Sequence, residues 1–504
     1  MCYQIYKHLT KAHKINLSSG ANRYFCVSAH LNNFNTKTLM FAQEIYIKRR
    51  NALRSEVKSG IILLPGNKEA SMNYPDNTYT FRQDSNFSYF FGLNHPDLAG
   101  VIDIDNGIDY IFGNDVDIED IIWMGPQPST AEQALNAGIK NTAPLSELNE
   151  FIANVIRRKR PVHIVPHYRA ETQLQLSNLL GIKPCRIKDY VSMELIQGIV
   201  KLRSVKDENE VAEIEKAVDI AYLMFTAGMK MAFPGRKEQE IVGVMEGISV
   251  SHGRPVSFPI ILSINGQILH NHHHENYLEA GRMMVMDAGS ETSLLYASDI
   301  TRTVPVGGKF TAKQRDIYEI VLNANLKSIA ATKPGTFYFE CHMKAAETIA
   351  TGLKNLGLMK GNVQDAIAAG AHALFLPHGL GHMLGMDVHD MEGLGQINVG
   401  YDSEIQPSKQ FGTAYLRMGR RLQPGFVVTN EPGIYFIPEL IDQWKSAGMF
   451  SEFINYEKVE EYRNFGGIRI EDDILVTPDG CRILGKPIPK TVAEVEETMK
   501  EGLA

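Results

Sequence analysis

Apolar residues recur at helical spacing in two stretches of the chain. Val211, Ile214, Val218, Ala221 and Phe225 step along one face, and Ile317, Ile320, Val321 and Ala324 do the same further on. Steps of three and four residues place such side chains on one side of a helix. Ser204 with Asp207 predicts a capping box at the first helix, and Thr311 predicts a cap at the second. Each helix must stop by a Pro-Gly pair, Pro234-Gly235 and Pro334-Gly335, and each pair is followed by more helical pattern, from about Glu238 and from about Glu340. The recurrence predicts an internal duplication: two helix–helix–sheet halves forming one domain over 201–504.

Upstream the pattern changes to strands alternating with helices. Residues 60–64 are a short apolar run closed by Pro65-Gly66. Residues 102–104 and 108–112 flank Asp105-Asn106-Gly107, a good hairpin turn. Residues 161–165 offer another strand. This mixture predicts an α/β domain over 40–200. Residues 1–39 differ again: no Asp or Glu occurs before Glu44, and the stretch lacks helical periodicity. They are expected to be a disordered extension, with Met40 a candidate initiator.

Composition narrows the classes. The chain has 504 residues, 44% hydrophobic and 22% charged, which is ordinary for a soluble globular protein of several domains. A net charge of −7 argues against a broad nucleic-acid surface. No run is long and apolar enough for a membrane span, and no targeting signal is convincing, so a cytoplasmic location is the default expectation. The five cysteines, Cys2, Cys26, Cys185, Cys341 and Cys481, are scattered and form no CxxC pair. Each is expected to be a buried free thiol in a reducing compartment.

Candidate chemistry concentrates in the second half. In 283–305, MMVMDAGSETSLLYASDITRTVP, Asp287 ends an apolar run and Asp299 lies in the next strand. A hairpin would set the two carboxylates face to face. There they repel each other and take up protons unless a cation sits between them. In PHGLGHMLGMDVHD, His378, His382 and His389 are interleaved with Gly379, Gly381 and Gly385, which allow close backbone approach or a loop around a ligand. In FVVTNEPGIYF, Glu431 ends a strand just before Pro432-Gly433. In GGIRIEDDILV, strand alternation puts Arg469, Glu471 and Asp473 on one face, with Ile468, Ile470 and Asp472 on the other. A Glu among apolar strand formers needs a partner, and an Arg or a metal would serve. Carboxylates with imidazole suit Mn²⁺, Co²⁺ or Zn²⁺ better than copper or an iron–sulfur cluster. Two such ions about 3.5–4 Å apart ionise a water for attack on a carbonyl. The residues point to metal-assisted hydrolysis.

With those segments in view, the chain resembles the pita-bread metallopeptidases that include aminopeptidase P (Xaa-Pro aminopeptidase) and prolidase (Xaa-Pro dipeptidase). Residues 378–390 look like the family's proline-peptidase signature, and DAG…SDITRT, EPG and GIRIEDD extend the match. The resemblance implies a creatinase-like N-terminal α/β domain and a pita-bread catalytic domain. It implies two divalent ions, Mn²⁺ first, with Co²⁺ or Zn²⁺ as alternatives. Asp287 would bind one ion, Asp299 and Glu471 would bridge both, and His382 and Glu431 would hold the other. Glu431 would also take the proton of a metal-bridging water. His270 and His389 would steady substrate or intermediate, His378 would line the pocket, and Arg469 would orient Asp287. Asp287 and Asp299 are 12 apart where the family usually has 11, so the extra residue is placed in the turn around 292–295.

DNTYTFRQDSNFSYFFG and Ile122-Trp123-Met124-Gly125 resemble the family's N-terminal domain, which makes Asp76 and Trp123 candidate substrate contacts, reached in family members from a neighbouring subunit. The protein is accordingly expected to form a homo-oligomer, a dimer or a tetramer. The tract His272-His273-His274 is expected to be a solvated loop. The DITRTVP and GKFT segments look like aminopeptidase P, while LRMGRRLQPG looks like prolidase, whose arginine at the position of Arg417 grips the dipeptide carboxylate. The favoured expectation is a Xaa-Pro aminopeptidase acting on peptides with proline second. The alternatives are a Xaa-Pro dipeptidase and, more distantly, a metal-free peptide-binding module.

Overall fold

A computed structural model describes residues 40–502. The expected extension, with Cys2 and Cys26, lies outside the described residues. The first sheet is built from β1 (Ile61–Pro65), β2 (Ala99–Asp103), β3 (Ile108–Phe112), β4 (Asn141–Ala143) and β5 (Val162–His163), in the order β4-β3-β2-β1-β5. The β2–β3 pair is the hairpin expected at Asp105-Asn106-Gly107. It closes at Asp103 opposite Ile108, with Gly107 at φ +67°. Alternation sorts its side chains. Ile61, Leu63, Ala99, Val101 and Phe112 pack in one small core with Leu148, Ile152 and Leu176 of the covering helices. Ile62, Leu64, Ile102 and Ile111 face the other way into the large core, which also holds Leu53, Phe87 and Phe90.

Helices Glu208–Met231 and Glu238–Ser251 pack on each other and lead to β6 (Ile261–Ser263), β7 (Met283–Ala288) and β8 (Ile300–Pro305), an antiparallel sheet. Helices Ala312–Ala331 and Tyr338–Asn355 repeat the arrangement before β9 (Val427–Asn430), β10 (Gly433–Tyr435), β11 (Gly467–Arg469), β12 (Asp472–Val476) and β13 (Cys481–Ile483). The correspondence reaches single hydrogen bonds. Gly235 has φ +86° and donates to Leu278 O; Gly335 has φ +84° and donates to Leu422 O. Lys237 then bridges Tyr277, and Phe337 bridges Arg421. Two sequence stretches with the same turn, the same left-handed glycine and the same return strand are a duplicated unit.

The two half-sheets meet along β8 and β11. Glu471 N donates to Thr301 O at 3.0 Å, and Arg469 N donates to Thr303 Oγ1 at 3.1 Å. Two expectations need correcting. Asp207, not Ser204, caps its helix: Asp207 accepts from the Asn209 and Glu210 amides, and Glu210 reciprocates. Ser204 ends the preceding helix and donates to Val200 O. Cys185 is exposed rather than buried, and Cys481 is half-buried; among the described residues only Cys341 has the expected environment. Among the described residues no helix is long and apolar enough to cross a membrane.

Candidate metal centre

The β7–β8 register runs unbroken, with Asp287 opposite Thr301 and Ala288 opposite Ile300. Asp299 immediately precedes β8. The irregular residues fall in the connecting turn, where Leu295 takes φ +67° and Leu295 N donates to Thr292 O. Both carboxylates therefore stay on the buried face. The histidine segment is threaded against β9: a Cβ at Gly381 would stand 2.2 Å from Thr429 O, so only glycine allows this approach. That threading brings His382 beside Asp299, with Nε2 3.4 Å from Oδ2, and 3.9 Å from Glu431 Oε1. Glu471 arrives from the break between β11 and β12. Asp299, His382 and Glu471 each offer one ligand atom within 4.8 Å of the others. The charge of Asp287 raises the Asp299 carboxyl further.

These groups border a cavity of about 700 Å³ that also takes in His270, His272, His378, His389, Arg417 and Arg469. Arg469 organises its floor. It donates through Nη2 to Asp287 Oδ2, through Nε to Thr301 Oγ1 at 3.0 Å, and through Nη1 to Tyr435 OH at 2.9 Å. Thr301 Oγ1 donates its own hydrogen bond to Glu471 Oε2 at 2.8 Å. Tyr435 donates in turn to His378 Nε2, because His378 Nδ1 must carry the proton that meets Gly379 O at 2.7 Å. His382 Nδ1 likewise donates to Met383 O at 3.0 Å, which leaves its Nε2 lone pair directed at the carboxylates.

The electrostatics are those of a cation site. Burial, then the neighbouring carboxylates, hold the Asp299, Glu431 and Glu471 carboxyls well above their ordinary range, with Arg469 opposing. Burial also lowers His382 to about 4 and keeps it a neutral donor of electrons. Asp287 Oδ1 and Asp299 Oδ1 are buried with no hydrogen-bond partner. Unsatisfied buried oxygens beside a bare imidazole lone pair are costly, and a divalent cation satisfies all of them together. The residues therefore fit hard divalent metal. Asp473 stands behind, accepting from Asp299 N at 3.1 Å. Asp472 faces the other way and pairs with Arg302 at 2.8 Å, as strand alternation requires.

The structure brings together Asp287, Asp299, His382, Glu431, Glu471, His270, His378, His389, Arg417 and Arg469. It does not bring Asp76 or Trp123 to this cavity: Asp76 lies in an exposed turn, and Trp123 is 79% exposed on helix Ile118–Met124, none of whose residues is buried. Part of the histidine tract also departs from expectation. His272 and His273 are exposed as expected, although His272 also borders the cavity, and His274 is half-buried with its Nδ1 donating to Leu262 O. Sequence reasoning missed Thr301, Tyr435 and Glu392; Thr301 and Tyr435 have partners distant in sequence, and Glu392 pairs both with His389 three residues before it and with the distant Arg417.

Comparisons with known proteins agree in kind. The family model "Metallopeptidase family M24" matches residues 212–478, and "Aminopeptidase P, N-terminal domain" matches 46–165. The chain is 32% identical to the Xaa-Pro dipeptidase of Homo sapiens over 87% of its own length and 88% of that protein. It is 33% identical to a protein of Aspergillus clavatus named "Probable Xaa-Pro aminopeptidase pepP", over 87% and 92%. Pseudomonas aeruginosa aminopeptidase PepP superposes with a TM-score of 0.76 at 27% identity, covering 92% of this chain and 99% of that one. A zinc-substituted Escherichia coli aminopeptidase P in complex with product gives 0.76 at 28%, with the same coverage.

Proposed function

The chain belongs to metallopeptidase family M24, among the Xaa-Pro peptidases, and from that premise we propose that it is a Xaa-Pro aminopeptidase working with two divalent ions. The observation that carries the reading is the convergence of Asp287, Asp299, His382, Glu431 and Glu471 on one cavity with two carboxylate oxygens left unpartnered. Asp287 would hold one ion, His382 and Glu431 the other, and Asp299 and Glu471 would bridge them, with Mn²⁺ the first candidate. Bound there, the ions would acidify a water and polarise the scissile carbonyl.

The chain's own residues do the rest. Glu431 faces both His382 and the cavity, so it accepts the attacking water's proton and delivers it to the proline nitrogen as the C–N bond breaks. The delivery matters because proline's amide nitrogen carries no hydrogen and leaves poorly without one. His270, held down toward neutrality by burial and by Arg469, donates a hydrogen bond to the oxyanion. His378 is pinned by Tyr435 and fixes the pocket wall. Arg469 holds Asp287 at one oxygen and leaves the other for metal.

A dipeptidase reading has its own observation, since Arg417 lines the cavity and suits a free carboxylate. The aminopeptidase reading is supported by the N-terminal domain and by the similarity to aminopeptidase P along nearly the whole chain. The deciding experiment supplies Mn²⁺-loaded protein with a Xaa-Pro dipeptide and with the same dipeptide extended by two alanines. Released amino acid is measured by mass spectrometry against a Glu431→Ala control. Cleavage of the longer peptide is expected. Cleavage of the dipeptide alone would make the protein a dipeptidase, and cleavage of neither would sink the reading.

A further inference from the structure

Glu392 spans two groups of the active site. Its Oε2 accepts from His389 Nδ1 at 2.6 Å, and its Oε1 accepts from Arg417 Nη1. Among the described residues this is the one ion pair Arg417 makes. Arg417 and His389 line both the large cavity and an adjoining narrow crevice, whereas Glu392 borders the crevice alone, with Gln396 and Val399. A peptide entering the cavity therefore meets a guanidinium whose charge is already engaged by Glu392.

That arrangement separates two kinds of substrate. A Xaa-Pro dipeptide ends in a carboxylate, and to bind Arg417 it must bring a second negative charge close to Glu392. The two carboxylates repel each other and share one guanidinium. A longer peptide carries a neutral amide at the same place and meets no such opposition. Glu392 and Arg417 are 39% and 35% exposed, so water screens the effect without abolishing it, and incoming peptide can compete for the cation.

Resting on the proline-peptidase reading above, we propose that Glu392 is a specificity-determining residue: an internal carboxylate that competes with the dipeptide's C-terminus for Arg417 and so favours peptides extended beyond proline. Glutamine at this place keeps an oxygen for His389 and removes the charge. Discrimination of this kind comes from an opposing element built against the unwanted ligand, not only from contacts to the favoured one.

The test compares a Xaa-Pro dipeptide with its C-terminal amide, which differ at that terminus in charge. Both are assayed with Mn²⁺-loaded wild-type protein, Glu392→Gln, Arg417→Met and the double variant. Glu392→Gln is expected to raise the free-acid to amide ratio of kcat/KM by about tenfold, chiefly through KM for the free acid. In the Arg417→Met background the same substitution should leave the ratio unchanged. The dissociation constants of both peptides, measured in a Glu431→Ala background with and without Glu392→Gln, give the same comparison without turnover. An unchanged ratio and unchanged relative affinities in Glu392→Gln would overturn the proposal, as would a gain that persists without Arg417. Wild-type protein inactive on the free acid, the amide and the alanine-extended peptide would sink the proline-peptidase reading instead, and this proposal with it.

Discussion

Arg469 holds Asp287 by one carboxylate oxygen, Oδ2, and leaves Oδ1 buried without a protein partner. The same guanidinium reaches Tyr435 and, through Thr301, Glu471. A planar fork can serve three neighbours at fixed angles, and an ammonium cannot. Arg469→Lys should therefore weaken metal affinity about 10–100-fold while keeping the charge. Competition with a chromophoric chelator measures this. Equal affinity in the two proteins would remove Arg469 from the positioning role.

Thr301→Val tests the link itself. Valine keeps the shape and deletes the hydroxyl that donates to Glu471 Oε2 and accepts from Arg469 Nε. Two buried groups then lose a partner, at a cost of about 1–3 kcal/mol each. The metal-free variant should melt below the metal-free wild type.

Glu431→Gln keeps the size of the side chain and removes its capacity to accept a proton. We expect kcat to fall by about 10²–10⁴-fold, with a much smaller change in KM. Metal content measured on the same sample shows whether the loss is in proton transfer or in ion binding.

Adding Mn²⁺ to metal-free protein should release protons. Asp299, Glu431 and Glu471 are held above their ordinary range by burial and by one another, so they bind protons where an ordinary carboxyl does not. A cation must displace those protons, and its affinity should rise with pH. A pH indicator in weakly buffered solution detects the release, and no release at neutral pH would contradict the assignment of these carboxyls as ligands.

His342 gives a pH effect away from the metal ligands. It is fully buried, neither ring nitrogen has a partner, and burial, with His372 and His378, lowers it from 6.5 to about 3. The unfolded chain binds a proton at this position below pH 6.5 and the folded chain does not. The neutral form thus stabilises the fold fully above pH 6.5, and that contribution is lost as pH falls toward 3. At pH 5 the loss is about 2 kcal/mol. His342→Leu should flatten the acid limb of the melting profile between pH 6.5 and 5, and an unchanged limb would count against this.

The sequence was most legible where chemistry follows a local period. Alternation placed Arg469 and Glu471 on one face and Asp472 on the other, and this holds although β11 and β12 are separate strands. The Pro-Gly stops were readable because proline and a left-handed glycine leave the helix few ways to continue. Glu392 was not readable. Its partner Arg417 is brought to it by the fold, and no periodicity relates the two. The capping error has a plain cause: Ser204 and Asp207 are both good caps, and only Asp207 has a glutamate three residues on to return the bond.

The duplicated halves have a consequence for how the protein comes to hold metal. Asp287 and Asp299 belong to the first repeat, while His382, Glu431 and Glu471 belong to the second. Neither repeat owns all five of the proposed ligands, and the first and last of them are separated by more than a third of the chain. A nascent or half-folded molecule thus presents only scattered acidic groups, with little grip on a cation. Tight ion capture becomes an act of quality control, available only to a chain whose two repeats have found each other. Proteolysis in the connection between the repeats should therefore release the ions before it destroys either half.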